Sequence, residues 1–166
     1  MIAFIDTSVL VAAIVGTEDH HRECDALMDS GDLGIYAHGL TETFSILTSG
    51  RRNLQMTANL ASEVIEQDFL PLLTVTSLTP TEMMRAMREA QNRGVRGGGV
   101  YDYLHLIAAR KAKATRIYTL NLSNFHALHR PGDPEIVHPG VCHLTSPSPS
   151  ASSTEQLPWR ATRRAW

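Results

Sequence analysis

Apolar and polar positions along the chain alternate between short strand-like runs and longer helical stripes. Ile2-Ala3-Phe4-Ile5 is a wholly apolar run ended by Asp6, which fits a buried strand. Residues 9–15 continue as a short apolar helix. A second helix is expected from the acidic pair Glu18-Asp19, which suits the positive end of the helix dipole, to about Asp29. Gly31-Asp32 breaks it, and Leu33-Gly34-Ile35-Tyr36 reads as the next strand. Residues 39–49 form a helix with Leu40, Phe44 and Leu47 on one face, and Glu42 lies close enough to that face to look inward.

Thr57 opens a further helix with Leu60, Val64 and Ile65 on its stripe, followed by a strand at Leu73-Thr74-Val75. Thr79-Pro80-Thr81-Glu82 is a strong helix start: Thr as N-cap, Pro at the first helical position and Glu at the third. Met83, Met87 and Ala90 are expected as its buried stripe, with the methionine group serving as core or as a surface between copies. Gly97-Gly98-Gly99 ends that unit, and Tyr101, Leu104 and Ala108 recur at helical spacing to about Lys113. Residues 116–119 and 135–138 complete the strands. Strands alternating with helices predict an α/β domain around a mainly parallel sheet, in which ligands gather beyond the carboxyl ends of the strands. Asp6 and Asn121, each just past a strand, fall on that edge.

Composition narrows the class. At 166 residues and 43% hydrophobic the chain suits one globular domain, with no apolar run near the roughly 20 residues of a membrane span. The start has no basic region and an acid too early for a signal peptide. Cys24 and Cys142 lie far apart, outside any zinc-ligand spacing, and point to a reducing cytosol rather than a disulfide framework. From about residue 145 the composition turns to Ser and Pro, so residues 1–144 read as the folded domain and 145–166 as a disordered tail. The net charge of -2 neither requires nor forbids a polyanionic substrate, which would need clustered bases or bridging cations.

The chemistry resides in Asp6, Glu42 and Asp102, three acids set in or beside apolar segments. Taken singly, each could be a helix cap, a solvated acid or half of an ion pair. Together they point to one divalent-cation site, since unpaired buried charge is costly. Oxygen ligands select Mg2+ or Mn2+, ions that offset phosphate charge and activate a water for phosphodiester hydrolysis. No protein nucleophile is evident: the cysteines lack a flanking base and no G-x-S-x-G occurs. His20, His21 and Cys24 read as a surface helix, and the glycine cluster lacks a phosphate-loop lysine. A phosphatase of the haloacid dehalogenase type also begins with Asp after its first strand, but it wants a second Asp where this chain has Ser8.

The ordered set Phe4-Ile5-Asp6-Thr7-Ser8, Glu42 early in a helix, Gly99-Val100-Tyr101-Asp102 and Thr119-Leu120-Asn121-Leu122-Ser123-Asn124 resembles PIN domains, most of all the VapC toxins of bacterial toxin–antitoxin pairs, over roughly residues 2–140. The resemblance implies a three-layer α/β/α fold and a Mg2+- or Mn2+-dependent endoribonuclease. Asp6, Glu42 and Asp102 would hold the metal, supported by Thr7, Ser8 and Thr119. It also implies a cytoplasmic homodimer, with no membrane association, inhibited by a VapB-like antitoxin. Relatives usually carry a fourth acid in the last motif, where this chain has Asn121 and Asn124; Asn121 is either a weaker site residue or a turn residue. That departure also keeps open a catalytically weak module that binds RNA or antitoxin without turnover. Arg51, Arg52, Arg93, Arg96, Arg110, Lys111, Lys113 and Arg116 are the candidate RNA-backbone contacts, although those at 110–116 also suit a helix C-terminus.

Overall fold

The computed structural model describes residues 2–50 and 55–141, so the expectations for Arg51, Arg52, Cys142 and the 145–166 tail lie outside the described residues. Five strands form one sheet: β1 (Ala3–Ile5), β2 (Leu33–Tyr36), β3 (Leu73–Thr76), β4 (Arg116–Tyr118) and β5 (Glu135–Val137), in the order β3-β2-β1-β4-β5. Every pairing is parallel, with Phe4 of β1 opposite Gly34 on one side and Ile117 on the other. The helices are α1 (Thr7–Ile14), α2 (His21–Met28), α3 (Ala37–Thr48), α4 (Ala58–Glu63), α5 (Pro80–Glu89), α6 (Gly99–Lys111) and α7 (Leu122–Leu128). A π-helical stretch, Val64–Phe69, extends α4 toward β3.

Alternation along β1 splits the core in two. Ile5 faces a cluster built with α1, α2, α3 and α4 through Val9, Leu10, Cys24, Met28, Leu47 and Ala61. Phe4 faces the opposite cluster, built with α5, α6 and α7 through Ala86, Leu106 and Phe125. The result is the α/β domain around a parallel sheet that the alternating pattern predicts, in the three-layer α/β/α form that the resemblance implies. Gly34 is a packing requirement: a Cβ there would lie 2.8 Å from the Phe4 ring, so the aromatic rests on bare backbone.

Several expectations shift in detail. Glu18 and Asp19 precede α2 rather than opening it, because His20 takes a left-handed conformation (φ 64°) that interrupts the chain ahead of His21. The Thr79 capping box forms as read, with Glu82 also reaching Lys111 at 2.7 Å. Met83 and Ala90 pack against the core as expected, with Ala86 between them, but Met84 and Met87 are exposed. Cys24 is not on a surface helix face but fully buried, with its thiol pushed up to about 12 by desolvation, which makes it inert. Tyr101 is exposed rather than buried, while Leu104 and Ala108 on the same helix are core.

Candidate functional site

The sheet order places β1 in the middle, and the chain reverses direction between β1 and β4. Crevices form at such a reversal, beyond the carboxyl ends of the strands. Asp6 leaves β1 at this point and caps α1: its Oδ1 accepts from Val9 N at 3.1 Å. Capping explains the helix start, since the first turn would otherwise leave its amides unpaired.

Two hydroxyls then tie Asp6 to the loop after β4. Ser8 Oγ donates to Asp6 Oδ1 at 2.6 Å and accepts from Leu120 N at 3.0 Å. Thr119 Oγ1 donates to Asp6 Oδ2 at 2.8 Å and accepts from Asn121 N at 2.8 Å. Asp6 is only 5% exposed, and its pKa is raised because burial penalises the charge more than these hydrogen bonds and the nearby His105 compensate.

Glu42, on α3, is held by the residue after Asp6. Thr7 Oγ1 donates to Glu42 Oε2 at 2.7 Å, and His105 Nε2 donates to the same oxygen at 3.0 Å. Burial raises the Glu42 pKa, but the His105 and Thr7 hydrogen bonds, with the charges of His105 and His38, outweigh it and hold the carboxyl below its usual value. His105 lies one turn past Asp102 on α6, and sequence reading missed it; the i, i+3 relation to Asp102 was the available signal. Its niche depends on Gly39, where a Cβ would stand 2.9 Å from His105 Cε1. With Nε2 donating to Glu42, His105 Nδ1 is buried without a hydrogen-bond partner.

Asp102, in the first turn of α6, meets the last motif. Asn124 Nδ2 donates to Asp102 Oδ2 at 3.0 Å, and Asn121 Nδ2 lies 3.5 Å from the same oxygen. Asn121 is the residue before α7, a helix the sequence reading did not foresee. Asp6, Ser8, Thr119, Asn121 and Asp102 thus form one polar network and Thr7, Glu42 and His105 a second, the two neighbouring each other along the chain from Asp6 to Thr7.

A divalent ion fits this assembly by donor chemistry: the carboxylates offer oxygen alone, and Asp6 carries buried charge that burial alone disfavours. The three acids are not drawn around one point as expected: among the described residues no three His, Cys, Asp or Glu side chains form a group that could hold a metal ion. Beside the assembly lies a cleft of about 670 Å³ lined by Ser8, Val11, Ser45, Ile46, Leu120 and Asn121, among others.

The basic candidates divide by position. Arg110 and Lys113 lie at and beyond the far end of α6, Arg110 being about 12 Å along the helix axis from Asp102. Arg110 pairs with Asp133 at 3.5 Å, as does Arg93 at 2.8 Å, so both serve the loop ahead of β5. Lys111 is drawn to Glu82, and Arg116 lies at the start of β4. Arg96 is exposed in the turn before α6, at the Asp102 end.

The PIN domain family model matches residues 3–128. Ribonuclease VapC27 of Mycobacterium tuberculosis is 29% identical over 110 residues, which cover 66% of this chain and 78% of that protein. Among solved structures, M. tuberculosis VapC20, described as a sarcin–ricin loop cleaving toxin, superposes with a TM-score of 0.60 at 20% identity, over 80% of this chain and 99% of that one. A toxin–antitoxin complex from Klebsiella pneumoniae gives 0.54 at 15% identity, over 82% and 97%. With the family model spanning most of its length and the same fold in these structures, the chain belongs to the PIN domain family.

Proposed function

We propose that this protein is a Mg2+- or Mn2+-dependent endoribonuclease, the toxin of a type II toxin–antitoxin pair, which hydrolyses an RNA phosphodiester with water. The observation that carries the reading is the anchoring of three acids by the segments that leave two adjacent strands: after β1, Thr7 holds Glu42 and Ser8 holds Asp6, and after β4, Thr119 holds Asp6 while Asn121 reaches toward Asp102. The name of the VapC27 relative and the description of VapC20 support the same activity.

Asp6, Glu42 and Asp102 are the residues that would hold the ion. Bound there, a divalent cation supplies positive charge against the phosphate and lowers the pKa of a water. The side chains contribute preorganisation, the property on which electrostatic catalysis depends. Thr7 and His105 occupy Glu42 Oε2, and Oε1, with His38 Nε2 3.9 Å away, is the oxygen that would face the ion. Ser8 and Thr119 fix both oxygens of Asp6 in the crevice. Asn124 and Asn121 orient Asp102.

The protein works as a cytoplasmic homodimer in this reading; among the described residues no helix is long and apolar enough to cross a membrane. A VapB-like antitoxin would lie in the cleft along Val11, Ile46 and Leu120 and present an Arg or Lys to the acids. The toxin–antitoxin complex among the structural neighbours favours such a partner.

The departure at Asn121 and Asn124 favours a second reading, a module that binds RNA or antitoxin without turnover. Purified protein incubated with cellular RNA, with and without Mg2+ or Mn2+ and beside Asp6→Ala, decides between them. Cuts that need both the metal and Asp6 are the expected result. A folded wild type that binds the metal and cuts nothing would move the conclusion to the binding module.

A further inference from the structure

An aromatic pair stands at the mouth of the acidic assembly. Tyr101, the residue before Asp102, is 47% exposed, and the His38 side chain, one turn before Glu42, is 42% exposed. Their rings stack, with centroids 5.3 Å apart and planes 17° apart. His38 rests in turn near Tyr36 (6.1 Å), and Tyr36 meets the buried His105 edge-on at 5.4 Å. A ladder of rings therefore rises from the core to solvent and ends on Tyr101.

Core packing does not account for the outer ring: His38 is held beside Glu42, with Nε2 3.9 Å from Oε1, and carries Tyr101 on its face. Helices α3 and α6 already close on each other deeper down, where His105 fits over Gly39 and bonds Glu42. Tyr101 leaves a large ring half in water on the residue before Asp102, stacked on His38, so a flat group can cover it. Unpaired nucleobases are such groups: they stack on aromatic rings whatever their sequence, while the backbone follows nearby cations. Arg96 is exposed in the turn that leads into α6. Gly97, Gly98 and Gly99 leave open space where side chains would stand, so a strand can approach the backbone there.

We propose that Tyr101, backed by His38, is a stacking subsite for an unpaired nucleobase of RNA, adjacent to the phosphodiester bond that the acids address. The inference rests on the ribonuclease reading and deepens it, placing the substrate strand across the start of α6.

The test uses a short single-stranded RNA carrying 2-aminopurine, titrated against the whole protein in EDTA so that no cleavage occurs. Wild type and Tyr101→Phe should quench the fluorophore alike, and Tyr101→Ala should bind about tenfold more weakly without the quench. In cleavage assays with metal, Tyr101→Ala should raise KM by a similar factor and leave kcat within about twofold. Equal quenching and equal KM for Tyr101→Ala, in a protein whose wild type cuts RNA, overturns the subsite and leaves the ribonuclease reading standing. A loss of RNA affinity that follows a fall in solution mass assigns the ring to contact between copies and overturns it as well. A wild type that neither binds nor cuts RNA overturns both.

Discussion

His105 and Glu42 form a buried bond between α6 and α3, with Nε2 3.0 Å from Oε2, and Gly39 makes room for it. Three elements that carry candidate site residues meet here, because Thr7 at the start of α1 donates to the same oxygen. Truncation by His105→Ala removes a charge-assisted hydrogen bond and opens a cavity, so it should cost about 3 kcal/mol in urea unfolding. Gly39→Ala alone should cost about 1–3 kcal/mol through overpacking against His105 Cε1. In the His105→Ala background the same change should cost little, and additivity of the two would sink the claim that Gly39 exists to seat the imidazole.

Asp6 makes metal-free stability depend on pH in a direction opposite to the usual carboxylate. Burial raises its folded pKa above the ordinary 3.8, so the native state holds the proton longer than the unfolded chain. Between those two values the native form binds more protons, and stability therefore falls as pH rises through the window. Asp6→Asn keeps a capping oxygen and removes the buried charge. In EDTA at neutral pH it should melt above wild type, and the gap should close as pH is lowered below 3.8. Mn2+ should raise the melting temperature of wild type and leave Asp6→Asn unmoved. A variant less stable than wild type at neutral pH would show that the hydrogen bonds outweigh the desolvation.

Glu42 carries the contrary sign. Its folded pKa is held below the ordinary 4.5 by His105 and Thr7, so its contribution is present above that value and is lost as pH falls through the folded pKa. Glu42→Gln should therefore flatten the acid limb of the stability profile, read by thermal melts from neutral pH downward. An unchanged acid limb would mean that Thr7 and His105 do not favour the ionised form.

The strands and the placing of the acids were legible because they are local: an apolar run that ends in Asp6 needs no tertiary knowledge, and neither does the Thr79 capping box. The register of a helix against its neighbour is not local. The inward stripe of α5 passes through Ala86, one position from the predicted Met87, because side-chain size matters less than which face meets α6. Tyr101 shares a stripe with Leu104 and Ala108 yet is exposed, since it sits in the first turn of α6 at the edge of the layer. Helix α7 hides behind two asparagines that also suit a turn, with only Phe125 and Leu128 buried to mark it. His105 gains its role from the approach of two helices at one glycine, which no single window of sequence contains.

Asn124 offers a direct test of the missing fourth acid. Its amide donates to Asp102 Oδ2 at 3.0 Å, so Asn124→Asp replaces an attraction with two carboxylates at hydrogen-bond distance. The variant should lose about 1 kcal/mol in EDTA, with the loss moderated by exposure, and should gain more from added Mn2+ than wild type does. Calorimetric titration of Mn2+ into both proteins checks the gain in affinity. No gain would place Asn124 outside the ion's reach.

Arg93 separates structural basic residues from substrate-binding ones. Its guanidinium bonds Asp133 Oδ2 at 2.8 Å and Leu128 O at 3.0 Å, and it lies over the Tyr103 ring at 5.7 Å. The Asp133 side chain is 2% exposed, and the same oxygen accepts from Arg130 N at 2.8 Å, so the pair is buried and fully engaged. Removing Arg93 leaves Asp133 with the longer, more exposed Arg110 contact at 3.5 Å and the Arg130 amide. Arg93→Met should therefore cost about 2–3 kcal/mol in urea unfolding, and the joint change with Asp133→Asn should recover part of that loss. Because the pair fastens the loop ahead of β5, away from the carboxyl edge of the sheet, RNA affinity of the folded fraction should be unchanged. A drop in RNA affinity without a drop in stability would instead put Arg93 on the substrate path and Asp133 in a merely neighbouring role.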